Sequence, residues 1–444
     1  MKIKSSNKNK CVSNFTYYLY IVYTCSYFLH IPNRFPVLGA IRIDLIIVFL
    51  LAVAIFSQLD AVSGKFDNII NKSTTILLLY ILISLPFVEW PGSVIRNNYP
   101  LFIKAIVFYF FTVSIVDTTP RLRNYILIIV FCQLFRIIEP LYLNMTTGYW
   151  GSSTFIGGGE FTDRLSGAPS DVVNPNGLAL VIALTLAFIH YLFGKSRLLI
   201  RAIYFALVPL MMYALVLTMS RSGVIAVMII FVNMFIKSNY KILLVIFSVL
   251  LAYGLWANMN DYQKDRYLSI TGGGSEASNE SFDGRRRGML KDFQVGMHRP
   301  IFGHGLGTSR EAIYNVRGGG QVSHILYAEV IIELGIIGFI IYMVFLKQIY
   351  TTLKNNRSMC NDISSRKNSD VIARTDPSIL DSLNYHFKLL DACSSCFWML
   401  LIFSVAQYGL SEFHWYLIAG ILSVQNRILN ENRNHIITDS RVNG

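Results

Sequence analysis

The chain has 444 residues, 53% of them hydrophobic and 15% charged, with a formal net charge of +13. Apolar residues gathered into repeated blocks of roughly 16 to 24 describe a polytopic membrane protein, not a water-soluble domain. The basic excess sits mostly at the inner edges of those blocks, against anionic headgroups, so membrane lipids are expected partners and nucleic acid is not.

Taken in chain order, spans are expected near 15–31, 42–58, 73–89, 99–116, 123–141, 174–193, 198–217, 220–236, 241–257, 323–346, 389–407 and 411–427, about twelve in all. The fold class expected is therefore all-α. With a cytoplasmic N-terminus, 23 of the 39 Lys and Arg fall inside and 15 outside, with Arg136 within a span. Nine of the outer ones belong to the long stretch 258–322, which the positive-inside rule largely ignores. The four lysines in residues 2–10 precede an uncleaved first helix, because no small-residue cleavage site follows.

The expected organisation is transmembrane helices one to five over 1–141, an outer loop 142–173, helices six to nine over 174–257, and a large outer catalytic loop 258–322. A tenth helix follows over 323–346, then an inner loop 347–388, helices eleven and twelve over 389–429, and a cytoplasmic tail 430–444. The inner loop is polar and expected to be flexible. Within the large loop, Met289, Phe293 and Met297 recur at helical spacing between Asp283, a plausible cap, and Pro300, so an interfacial helix is expected over 285–299.

Cys393 and Cys396 have a redox-like spacing, but they lie at the start of a span and read as small residues at a helix interface. His298, His304 and His324 match no metal-ligand spacing, so no metal and no cofactor is expected.

Four places remain for chemistry. Arg221, in Thr218-Met-Ser-Arg-Ser-Gly223, lies between two apolar blocks with almost no linker, and an arginine at a tight interfacial turn is a functional candidate. Arg164 opens a segment ending in Asn174-Pro-Asn176, where Asn caps and Pro enters the next span. Arg285, Arg286 and Arg287 form a cluster suited to phosphate, followed by the glycine-rich Gly303-His-Gly-Leu-Gly307. His324 stands at the outer mouth of 323–346, with Ser323 as its cap. Gly335 and Gly338 lie on the same face as His324, where another helix can approach. Glu329 and Glu333 point elsewhere and are expected to be protonated or paired with a cation such as Arg136.

Taken together, Arg164-Leu-Ser-Gly167 with Asn174-Pro-Asn176, Ser220-Arg-Ser-Gly223, Gly284-Arg285, Arg299-Pro-Ile-Phe-Gly-His-Gly-Leu-Gly307 and His324 through Gly338 resemble the O-antigen ligase and polymerase superfamily of bacterial envelope proteins. The segment Phe35-Pro-Val-Leu-Gly-Ala-Ile-Arg42 also resembles the start of many members. The chain departs from the family at Ile325, where an Asn is common, at His304, and in having three arginines where one is usual.

The resemblance implies metal-independent glycosyl transfer at the outer face of the bacterial inner membrane. The donor would be a glycan on undecaprenyl diphosphate. The acceptor would be a sugar hydroxyl of lipid A-core for a ligase, or a lipid-linked glycan for a polymerase. Arg164, Arg221 and Arg285 would bind the diphosphate, with Arg286, Arg287, His304 and Asn176 as further candidates, and His324 would accept the hydroxyl proton. An anion transporter is the competing class, and it calls for charged or broken helices near the bilayer midplane.

Overall fold

The computed structural model describes residues 11–157, 160–194, 198–273, 275, 288–318, 323, 325–366, 377–407 and 409–442. In chain order the helices are α1 (Asn14–Phe28), α2 (Ile31–Arg34), α3 (Pro36–Ala40), α4 (Ile43–Phe56), α5 (Leu59–Val62), α6 (Ile69–Ser84), α7 (Pro91–Ser93) and α8 (Tyr99–Ile115). Next come α9 (Thr119–Thr147), strands β1 (Gly151–Gly157) and β2 (Glu160–Leu165), α10 (Pro175–Phe193), α11 (Leu198–Thr218), α12 (Arg221–Lys237), α13 (Lys241–Ala257) and α14 (Asp261–Leu268). A helix over 288–296, here α15, is followed by α16 (Ser309–Arg317), α17 (Leu326–Arg366), α18 (Pro377–Phe403) and α19 (Phe413–Val442).

Backbone amides have no water to bond in hydrocarbon, so long apolar runs close their hydrogen bonds internally as helices. Among the described residues seven helical stretches are long and apolar enough to cross a membrane: Ile69–Phe87, Pro91–Ile115, Thr119–Thr147, Pro175–Phe193, Leu198–Thr218, Leu326–Ser365 and Asp381–Phe403. Ile43–Phe56 and Lys241–Ala257 are shorter and also apolar. The protein is thus a predominantly helical, polytopic membrane protein.

Helix α10 is central and packs on α9, α11, α12 and α18. Ala179, Ala183 and Ala187, each fully buried, recur every four residues and let neighbouring backbones approach. Gly223 uses that gap: a Cβ there would lie 2.5 Å from that of Ala179. At the periphery, α13 buries none of its residues.

Several expectations are corrected. The outer loop 142–173 is not irregular: α9 runs to Thr147, and β1 and β2 pair antiparallel with Gly151 opposite Leu165 and Ser152 opposite Arg164. The inner segment 347–388 is largely helical, because α17 continues to Arg366 and α18 starts at Pro377. These polar extensions carry no apolar signal, yet they continue hydrogen-bonded helices, and fully buried Asn356 reaches Leu422 O and Gln425 across to α19.

Gly335 is the third correction. It is not a contact point on a continuous helix but a break in α17, with φ +67°. The segment 299–307 is laid into the break: His304 N donates to Ile332 O at 2.8 Å, Gly305 N to Glu333 O at 2.9 Å, and Ile336 N to Pro300 O at 2.7 Å. Tyr80 Oη takes Leu334 O at 2.7 Å. A break is what a transporter site requires, but here protein donors take the freed carbonyls, the condition under which non-helical backbone is tolerated in a membrane protein. Gly338, by contrast, does meet a helix, against the Tyr80 ring of α6.

Candidate active site at the amino ends of α10 and α12

The connection between α11 and α12 is only Met219 and Ser220. Met219 takes the left-handed conformation, φ +50°, and Ser220 caps α12 by accepting from Gly223 N at 3.2 Å. So short a turn leaves the last carbonyls of α11 without helical partners, and three side chains from two distant segments take them. Arg164 Nε donates to Thr218 O at 2.8 Å, Arg266 Nε to Met219 O at 2.9 Å, and Tyr267 Oη to Val216 O at 3.1 Å. Burial pushes the Tyr267 phenol well above its ordinary value, so it stays a donor.

Arg164 is the penultimate residue of β2, opposite Ser152 at the open end of the hairpin, which explains the hairpin's part in the site. Its second nitrogen donates to Asn176 Oδ1 at 3.1 Å, and Ser220 Oγ donates to the same oxygen at 2.9 Å. Asn174 accepts from Gly177 N at 2.8 Å, the capping expected of it, with Pro175 in the first turn. Arg221 opens α12 and donates to Ser269 Oγ at 2.8 Å. Arg164, Arg221 and Arg266 are 5%, 6% and 8% exposed. Three guanidiniums thus surround one turn, and Arg221 adds its charge to the positive end of a helix, where an anion is favoured.

Arg164, Arg221 and Asn176 are therefore brought together, and Arg266 joins them. Sequence reasoning missed Arg266: it is one of nine cations in a long loop. The capping box Asn260–Gln263 that starts α14 was the available signal, since it orients Arg266 and Tyr267 on one short helix. Arg285, Arg286, Arg287 and His324, with the expected cap Asp283, lie outside the described residues. The neighbours of His324 are buried, Ser323 fully and Ile325 at 5%. The first amide of α17 is not capped by Ser323 as expected: Leu326 N donates to Ser404 O at 2.9 Å and Gln407 O at 3.0 Å.

His304 has other company. Its Nδ1 lies 2.6 Å from Glu89 Oε2, its Nε2 is 3.3 Å from Val295 O, and its ring stacks on Trp90 at 5.6 Å. It locks the 299–307 segment to the loop after α6. Arg136 does not pair with Glu329 or Glu333. It grips Asp171 through two bonds of 2.6 and 3.0 Å and Gln133 at 3.0 Å. Glu329 instead accepts from Gly409 N and Leu410 N, and Glu333 from Gly307 N at 2.7 Å, each tying a connecting segment to α17.

Residues 206–343 match the family model described as O-antigen ligase. That stretch is similar to the O-antigen ligase family, in line with the resemblance to the O-antigen ligase and polymerase superfamily. No curated protein matches the chain. The matched stretch includes Arg221, Arg266, the 299–307 segment and the position of His324, while Arg164, Asn176 and Asp171 precede it. The O-antigen ligase family implies a glycosyltransferase-type enzyme working on lipid-linked glycans in a membrane.

Proposed function

We propose that this protein transfers a glycan from undecaprenyl diphosphate to a sugar hydroxyl of lipid A-core, as an O-antigen ligase of the bacterial inner membrane. The twelve spans expected from the sequence, taken with both termini cytoplasmic, put the α11–α12 turn on the periplasmic face. The single observation that carries the reading is the meeting of Arg164, Arg221 and Arg266 at that turn. Fixed guanidiniums are suited to a leaving group that gains charge as it departs.

In this reading the acceptor oxygen bonds to the anomeric carbon while the bond from that carbon to the diphosphate oxygen breaks. The electron pair leaves with the diphosphate, held by Arg164, Arg221 and Arg285, with Asn176 fixing the Arg164 fork. The acceptor proton passes to the His324 imidazole, without a metal ion. Arg266 is added here as a support for the same turn. His304 is a brace for the 299–307 segment and not a phosphate ligand, because its two nitrogens and its ring face are engaged with Val295, Glu89 and Trp90.

Deleting the gene and resolving the lipopolysaccharide on a gel tests the reading. Core alone, with polymer retained on the lipid carrier, is expected. Core bearing one repeat instead assigns the chain to polymerisation, and an unchanged ladder contradicts both. Complementation with His324→Ala is expected to leave the deletion pattern with the protein still membrane-inserted.

A further inference from the structure

A cavity of mixed polar and apolar lining lies beside the arginine turn, not at it. It has a volume of about 160 Å³ and is walled by Asn174 and Gly177 of α10, Leu326 of α17, Gln407 and Glu412 of the loop after α18, and Trp415 of α19, among others.

Its position relative to the arginines follows from helix geometry. At about 100° per residue, Gly177, Leu180 and Val181 of α10 fall within one arc of the helix, while Asn176 and Ala179 fall in the neighbouring arc. The first three line the cavity. Asn176 holds Arg164 and Ser220, and Ala179 abuts Gly223. The amino end of α10 thus carries cationic anion-binding chemistry on one arc and a different lining on the next. The wall of the cavity at α17 begins two positions after His324 in the sequence.

The lining states what the cavity holds. Arg136 reaches its edge already committed to Asp171, so the site offers an anion little. Glu412 adds a carboxyl group to the lining, able to exchange hydrogen bonds with hydroxyls. The Gln407 and Asn174 amides and the Ser404 hydroxyl are polar and uncharged, and His414 keeps Nε2 buried without a partner among the described residues. Trp415, Phe403 and Phe413 supply flat apolar walls. A carboxylate, amides and aromatic faces converging on a small cavity suit an uncharged ring bearing several hydroxyls.

We infer that the terminal sugar of the acceptor glycan binds in this cavity, with Glu412 and Gln407 as its specificity-determining contacts, on the arc of the α10 amino end next to that of the donor diphosphate. The assignment rests on the transferase reading above and adds the acceptor's place to it. The donor's first sugar then bridges the two arcs, so that its anomeric carbon faces the acceptor hydroxyl.

The test uses the full chain in native membranes, with its lipid-linked donor and with acceptor glycan lacking the polymer. Glu412→Gln and Gln407→Ala are expected to raise the acceptor concentration for half-maximal transfer at least tenfold, with maximal rate within about threefold. Binding of undecaprenyl diphosphate should be unchanged. A second variant does not depend on folding with an altered lining. Val172 is 86% exposed at the cavity mouth, so Val172→Cys can be modified after folding by a bulky, membrane-impermeant maleimide on intact cells. Modification should abolish transfer and leave undecaprenyl diphosphate binding intact. Full transfer after complete modification, or a change confined to donor dependence, overturns the cavity assignment. Absence of transfer by the unmodified protein contradicts the transferase reading itself, and the cavity assignment with it.

Discussion

Arg164 Nε donates to Thr218 O at 2.8 Å, a bond that pins a β-hairpin lying between α9 and α10 to the carboxyl end of α11. Because the same guanidinium also holds Asn176, one side chain fixes the relative placement of the hairpin, α10 and the α11–α12 turn. A cation at a helix carboxyl end is favourable in itself. Arg164 thus has a structural reason for its position, and its charge is delivered where phosphate oxygens are proposed to bind.

Replacing Arg221 with Ala is expected to lower transfer by about 10²–10³-fold, the usual cost of removing one preorganised electrostatic contact. Arg221→Lys keeps the charge but not the planar fork and should recover only part of the rate. Turnover of lipid-linked donor by purified variants, normalised to folded protein, decides this. Equal turnover by Arg221→Ala and the unaltered protein removes the residue from the site.

His304→Ala should act on stability rather than on chemistry. Removing the buried His304 ring, with its 2.6 Å contact to Glu89 and its stack on Trp90, should cost about 1–3 kcal/mol, read as a lowered melting temperature in detergent. Adding Glu89→Ala should cost less than the sum of the two single changes, since the residues share one contact. A rate loss in His304→Ala as large as that of Arg221→Ala, at full stability, would restore it as a phosphate ligand.

Gly335→Ala should be poorly tolerated. Its φ of +67° disfavours any side chain, and a Cβ would overlap the Ile301 carbonyl. The strain alone is of order 1–3 kcal/mol, before any displacement of the 299–307 segment. Gly254→Ala, where a Cβ meets nothing, is the control expected to melt like the unaltered protein.

Asp171→Ala strands buried Arg136, whose partner it is, and such a loss typically costs about 3–5 kcal/mol. Asp171→Asn keeps an acceptor and should cost less. Folded yield and melting temperature order the two, and equal values would mean that Arg136 finds another partner.

Much of the fold was legible because hydrophobic runs report helices directly, and Asn174-Pro175 and the linker-free Arg221 reported the two helix starts that frame the site. What escaped was carried by polar or long-range contacts. The polar ends of α17 and α18 are helical without an apolar signal. The hairpin was signalled only by glycines between Ser152-Ser-Thr-Phe and Glu160-Phe-Thr-Asp, a pattern for a turn flanked by strands. Asp171 as the partner of Arg136, 35 positions away, and Glu89 as that of His304, 215 away, follow from tertiary packing alone. Gly335 sits in an apolar run whose periodicity continues through the break, so only the inserted segment 299–307 reveals it.

The most direct measurement is the affinity of purified, full-length protein for undecaprenyl diphosphate, read as ligand-dependent thermal stabilisation, with and without Arg164→Ala and Arg221→Ala. The arginine turn as donor site predicts stabilisation of the unaltered protein and at least tenfold weaker binding in each variant. Equal stabilisation of all three proteins would contradict it.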